Sequence, residues 1–317
     1  MEVSSEARVV EDQIRLKIID DGQHVDLAVI LEALRQDLVV LVKGLSSTEA
    51  DRLMSRIAGG FGLQDKLELQ AGFAAHQGHR HNIGQYFMSV NPRSDYHFIP
   101  WHSEGNSFTR MQLAAFFCYE NSTDGGETIL MNIDDSSNVW SLLREKAKRG
   151  RMTSRPLSPR EIARVRGLYQ LSMPADVLRS DDRVLEERPT DIPGFTVLTV
   201  LAQPRRTYSQ VLGKESYTLW DSIASIDSDS SDQYAALLQA SGLLKQPPGG
   251  RSIREMDNTA VRHIWSSGVD YSRILKCKLT LKLNAGDFIV QNNVTWAHSA
   301  SNWSPDSGTR KIAASFA

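Results

Sequence analysis

The chain has 317 residues, 41% of them hydrophobic and 23% charged, with a formal net charge of -2. That is ordinary globular composition with enough apolar material for a sizeable core. It gives no global attraction to phosphate or anionic lipid, which argues against nucleic acid and membrane surfaces as partners.

The acidic, interrupted start MEVSSEARVVEDQIRL lacks the basic-then-apolar plan of a signal peptide. No apolar run reaches the ~18 residues of a membrane span. VDLAVILEALRQ has the apolar spacing of a helix, and DLVVLVKGL follows as a short buried strand. Ser46 and Glu49 form a capping box that opens a second helix, ending near Gly59-Gly60.

Residues 70–98 carry Gly, His, Asn and aromatics without sustained periodicity, which predicts long loops with one short strand. Within them, the cluster His76, His79 and His81 has no Cys or acidic partner, so a loop at a site mouth is favoured over metal ligation. The run Tyr86-Phe87-Met88 fits core and pocket wall equally. TRMQLAAFFCY and ETILMNI, separated by Asn121 to Gly126, read as two strands of a hairpin.

Residues 136–190 change character. Stretches such as SNVWSLLREKAKRG and SPREIARVRGLYQ predict a helical insertion, with KAKRGR as a solvated basic helix end. Strand-like sequence returns at 194–222, residues 226–265 mix helix and loop, and the C-terminal part reads as strand: ILKCKLTLKL, FIVQNN and TRKIAASFA. Cys118 and Cys277 both lie in such apolar runs, which predicts inert reduced thiols, no disulfide framework and a cytoplasmic setting. The whole pattern predicts a mainly β fold with helical decoration, built on a jelly-roll core.

The chemistry concentrates at His102-Ser103-Glu104, just after Phe98-Ile99. Side chains at i and i+2 of a strand share a face, so an imidazole and a carboxylate converge. A 2-His-1-carboxylate facial triad uses that pair plus a histidine from elsewhere, leaving other positions open. Alone, H-x-E is a chance spacing in a chain with eight histidines. The C-terminal end strengthens it. Gly286 to Asn293 reads as turn, buried strand and polar strand end, and delivers Trp296-Ala297-His298-Ser299. Arg310 follows one strand and a turn later, placed for a bidentate pair with a carboxylate. Gly125-Gly126-Glu127-Thr128 adds a hydroxyl beside the first ligands. Trp101 and Trp296 read as packing around the ligands, and Asn292 and Asn293 as residues that orient them.

In order and spacing these residues resemble the taurine dioxygenase-like group of iron/2-oxoglutarate oxygenases, which includes clavaminate synthase. That group shows H-x-[DE], then G-G-x-T, then a distal His and an Arg beyond it. The resemblance covers about residues 28–135 and 275–317. It implies a single oxygenase domain over 1–317 with a double-stranded β-helix (cupin-like) core, and Fe(II) held by His102, Glu104 and His298. It also implies 2-oxoglutarate gripped by Thr128 and Arg310, and O2 as the oxidant. The expected reaction is oxidation of an unactivated C–H bond of a small natural-product or amino-acid-derived substrate, hydroxylation by default, with succinate and CO2 as co-products. The alternatives are hydroxylation of a protein side chain and a non-catalytic metal-binding protein. Two departures stand out. Glu104 replaces the Asp of many members, and Ala314 occupies the place of a second arginine.

Overall fold

The computed structural model describes residues 9–10, 15–77, 82–90 and 95–317. The first third carries β1 (Val9–Val10), β2 (Leu16–Ile19), α1 (Leu27–Arg35), β3 (Val39–Val42), α2 (Ser47–Gly60), α3 (Gln64–Gln77), β4 (Met88–Ser89) and β5 (Ile99–His102). The middle adds β6 (Leu113–Asn121), β7 (Thr128–Ile133), β8 (Glu145–Met152), α4 (Pro159–Tyr169), β9 (Arg183–Pro189), β10 (Phe195–Ala202), β11 (Thr207–Ser209) and β12 (Lys214–Ser216). Then come α5 (Asp221–Ala224), α6 (Ser228–Ala240), α7 (Ile253–Met256), β13 (Leu275–Leu281), β14 (Phe288–Asn292), β15 (Trp296–Ala300) and β16 (Arg310–Phe316).

The expected mainly β, double-stranded β-helix (jelly-roll, cupin-like) core is not what the strands build. They form four open sheets, ordered β1-β13-β7-β15-β5, β2-β3-β14-β6-β16-β4, β8-β10-β9 and β11-β12, and none closes into a barrel. The fold is mixed α/β. Strand periodicity explains the layering. Along β6, Ala114, Phe116 and Cys118 enter a core shared with Leu130, Trp296 and Ile312, so the two large sheets face one another across it. The alternate residues Leu113, Ala115 and Phe117 point the other way, into a core with Ile30 and Leu34 of α1 and Leu53, Met54 and Ile57 of α2. The far face of the five-stranded sheet is covered likewise: Ile129, Met131 and Ala297 pack with Tyr234, Ala235 and Leu238 of α6. Four layers result, helices outside and sheets inside.

Local signals hold where the sequence states them plainly. The Ser46–Glu49 capping box closes as expected, and α2 ends at Gly60. Three readings fail. β6 and β7 are not a hairpin: they belong to different sheets, and the turn between them carries the chain across the sandwich. The segment Gln64–Gln77 is helical, with Leu67 and Ala71 one turn apart in the core. Its apolar stripe is too thin to show against Gly72 and the polar residues around it. KAKRGR lies in strand β8, not at a helix end. Glu145, Ala147 and Arg149 alternate into the interior, where Arg149 pairs with Asp182 at 3.0 Å. Charged side chains on both faces hide that period of two. Residues 159–169 do form the expected helix.

Cys118 is buried and burial pushes its thiol up to about 11, while Cys277 is half-buried; neither is in a disulfide. No described helix is long and apolar enough to cross a membrane. Tyr86 and Phe87 are core residues beneath α2, and Met88 lies between the large sheets. The side chains of the histidine cluster at 76–81 lie outside the described residues.

Candidate metal centre

Strand register brings the two histidines together. His298 on β15 lies directly opposite His102 at the end of β5 and opposite Leu130 on β7. Their rings stand 4.7 Å apart at 55°, and Phe116 from the facing sheet meets the His298 ring edge-on at 4.7 Å. The chain leaves the strand after His102, turns at Gly105 (φ +89°), and returns the Glu104 carboxylate between the imidazoles. Glu104 Oε1 lies 3.7 Å from His102 Nε2 and 3.6 Å from His298 Nε2. Three candidate ligands meet at one point. Among the described residues this is the one cluster of three or more His, Cys, Asp or Glu close enough to share a metal ion.

The electrostatics suit a cation. Burial alone would raise the Glu104 pKa, yet hydrogen bonds and charge from both imidazoles hold it well below the usual carboxylate range. Burial would lower the His102 pKa; Glu104, then Asp221 and the Pro100 carbonyl, raise it instead. Two imidazoles and one carboxylate form a borderline donor set, suited to Fe(II) and its first-row neighbours and poorly matched to Ca(II) or Mg(II). His102 Nδ1 lies 2.9 Å from Pro100 O, the backbone partner that ligating histidines commonly have. The residues fit a metal.

Each arm is held by its surroundings. Asn293, fully buried, accepts from Glu104 N–H through Oδ1 and donates to Glu104 O and Met111 O through Nδ2, all at 2.9 Å. Ser103 donates to Trp296 O at 3.2 Å, tying the two ligand segments together. The start of β15 is pinned by Asp37, which takes the Trp296 indole N–H at 3.2 Å while in the left-handed region at φ +61°. Asp37 was not singled out in the sequence; nothing in a lone Asp before VVLV marks a contact 259 residues away. Trp101 packs against Tyr234 and Tyr271, and Trp296 lies in the core between the sheets, so both are packing residues as expected. Asn292 bonds Ser209 and caps the following turn.

Thr128 and Arg310 line the same cavity as the three ligands, a space of about 90 Å³ walled by Val90, Ile99, Phe116, Ile312 and Ala314. Arg310 Nε donates to Gly126 O at 3.1 Å, and its guanidinium lies 5.5 Å from the Trp303 ring. Gly126 is needed there. It sits at φ +74°, and a Cβ would come within 2.7 Å of Arg310 Cδ. Gly126→Ala is therefore expected to cost about 1–2 kcal/mol from the left-handed backbone alone, read by urea unfolding. An unchanged midpoint would mean that the turn relaxes freely.

No protein-family model matches the sequence, and no curated protein matches it either. Among solved structures, a taurine dioxygenase from Burkholderia xenovorans aligns at 14% identity and TM-score 0.41, covering 99% of this chain and 90% of its own. AAD-2, solved with Mn(II) and N-oxalylglycine, aligns at 12% identity and TM-score 0.40, covering 98% and 96%. These likenesses are too loose to carry weight, and the geometry above stands without them.

Proposed function

We propose that this chain is a non-haem Fe(II)- and 2-oxoglutarate-dependent dioxygenase acting on a small organic substrate, with His102, Glu104 and His298 as the metal ligands. The observation that carries the reading is the meeting of these side chains, 194 residues apart along the chain from Glu104 to His298, with both nitrogens within 3.7 Å of one carboxylate oxygen. Three protein ligands on one side leave coordination positions for a co-substrate and for O2. When bound, Fe(II) supplies dioxygen activation, and oxidative decarboxylation of 2-oxoglutarate to succinate and CO2 supplies two electrons, so that one oxygen atom enters the C–H bond.

The chain's own residues do the positioning. Arg310 and Thr128 share the cavity with the ligands, and a guanidinium beside a hydroxyl suits the far carboxylate of a dicarboxylic acid. Phe116, Ile312, Ala314 and Val90 supply apolar wall, which excludes water from the reacting centre. Ala314 offers only a methyl where relatives of the resembled group carry a second arginine, so Arg310 is the cation assigned to this task. The 1–317 chain acts as a single oxygenase domain in this reading, with 136–190 as a peripheral insertion.

The test is iron-dependent formation of succinate from 2-oxoglutarate, with the weak visible band of the anaerobic Fe(II)–keto acid chelate as its binding signature. Metal binding without any turnover would reduce the protein to a non-catalytic holder, and no binding of either partner would end the proposal. Arg310→Met should raise the KM for 2-oxoglutarate roughly 10- to 100-fold, as expected for losing a charged hydrogen bond. Metal affinity measured without 2-oxoglutarate should stay unchanged. An unaltered KM would remove Arg310 from the site.

A further inference from the structure

The two histidines are not held alike. Pro100 O can only accept a hydrogen bond, so the Nδ1 that faces it at 2.9 Å carries a proton, and once the ring is neutral Nε2 is the nitrogen left for a metal. His102 is fixed in the metal-binding tautomer. His298 Nδ1 instead faces the amide of Gln291, a buried side chain on β14. Gln291 Nε2 lies 3.2 Å from His298 Nδ1 and 3.4 Å from Trp296 O, and Oε1 is buried with no hydrogen-bond partner among the described residues.

An amide has two chemically opposite ends, and which one meets an imidazole nitrogen decides where that imidazole keeps its proton. With the N–H end toward Nδ1, Nδ1 must accept. The neutral ring then carries its proton on Nε2, directed at Glu104 Oε1 at 3.6 Å. This arrangement satisfies the carboxylate and blocks metal ligation. With the carbonyl end toward Nδ1, Nδ1–H donates and Nε2 is free to ligate.

We propose that Gln291 is a positioning residue that selects the ligating tautomer of His298, turning its amide end for end as the metal site fills. This rests on the metal reading above. The turn is about a soft terminal torsion with two nearly equivalent settings. The exchange balances. The ring loses the proton on Nε2 and gains one on Nδ1, Gln291 Oε1 acquires the donor it lacks, and Trp296 O gives up a long bond. With the carbonyl end in place before metal arrives, Oε1 would take the position 3.4 Å from Trp296 O, acceptor beside acceptor. That contact disfavours the carbonyl-inward setting in the metal-free protein.

The experiment uses the full chain, labelled with 15N in histidine, metal-free and loaded with diamagnetic Zn(II) at mildly alkaline pH. Long-range 1H–15N ring spectra read each tautomer directly. His102 should show Nδ1–H in both states. His298 should change from Nε2–H to Nδ1–H on loading. Gln291→Glu, whose carboxylate can only accept, should show Nδ1–H at His298 before metal is added and bind Zn(II) and Co(II) more tightly. Gln291→Leu should lose the tautomer preference and bind both metals on the order of 10-fold more weakly, the lower end for an outer-shell partner. Nδ1–H at His298 in the metal-free wild type would overturn the inference. So would Co(II) affinity of Gln291→Leu within about twofold of wild type. If Gln291→Leu fails to fold, the wild-type spectra alone decide. A wild type that binds neither metal fails differently, because it removes the metal site itself and not only the role of Gln291.

Discussion

His298→Ala is expected to abolish iron-dependent conversion of 2-oxoglutarate and to weaken Co(II) or Mn(II) binding by well over ~100-fold. Removal of an outer-shell partner already costs ligand sites ~10–100-fold, and this change removes a ligand. Among the described residues no substitute lies within reach. His102 and Glu104 are the remaining members of the cluster, and no other His, Cys, Asp or Glu among the described residues joins it. The effect on the metal-free protein is separable. Glu104 is held low by two imidazoles against the opposing effect of its burial, so losing one should move its pKa upward. Anaerobic metal titration, with circular dichroism as the control for folding, checks the first expectation. A folded variant that keeps wild-type affinity would show that the ion is held elsewhere and would remove His298 from the ligand set.

The candidate ligands were legible because their chemistry is local in sequence even though their meeting is not. His102 and Glu104 were read as a strand pair, but β5 ends at His102 and the turn at Gly105 brings Glu104 back; what singled them out was their order with Thr128, His298 and Arg310. The layers were less legible. Leu113 to Cys118 is apolar at every position, so its two faces, one toward helices and one toward the opposite sheet, leave no alternation to read. That is why β6 and β7 looked like one hairpin. The chain from Asn121 to Gly126 has the composition of a tight turn, yet Gly125 packs against the Asn302 backbone and Gly126 against Arg310. Those glycines are there for close approach as the chain passes between sheets. β8 failed for the opposite reason. Its buried positions include Glu145 and Arg149, so charge masked a strand period that geometry makes plain. Gln291 and Asn293 were visible as a polar strand end, but which ligand each one serves follows only from the fold. One meets the ring of a residue seven positions on, and the other meets the main chain of a residue 189 positions back.

Asn293→Asp should be the most damaging near-isosteric change in the protein. The native amide uses every polar atom: Oδ1 accepts one N–H, and the two hydrogens on Nδ2 go to the carbonyls of Glu104 and Met111. A carboxylate keeps the shape and reverses the donor side. It sets an acceptor against two carbonyls in a fully buried position, and protonation would satisfy only one of them. The expected loss is about 2–5 kcal/mol of stability, the cost of leaving buried polar groups opposed and unpaired. Metal affinity should fall as well, because the Glu104 main chain loses the clasp that returns its carboxylate between the imidazoles. Asn293→Ala should be milder on both counts, since it removes the amide without adding repulsion, and the vacated space admits a water that can donate to one carbonyl. Urea unfolding of the metal-free variants, followed by Co(II) titration of whichever remain folded, gives the ranking. An Asp variant more stable than the Ala variant would mean that the volume of the side chain at 293, and not its pattern of donors and acceptors, holds the glutamate ligand in place.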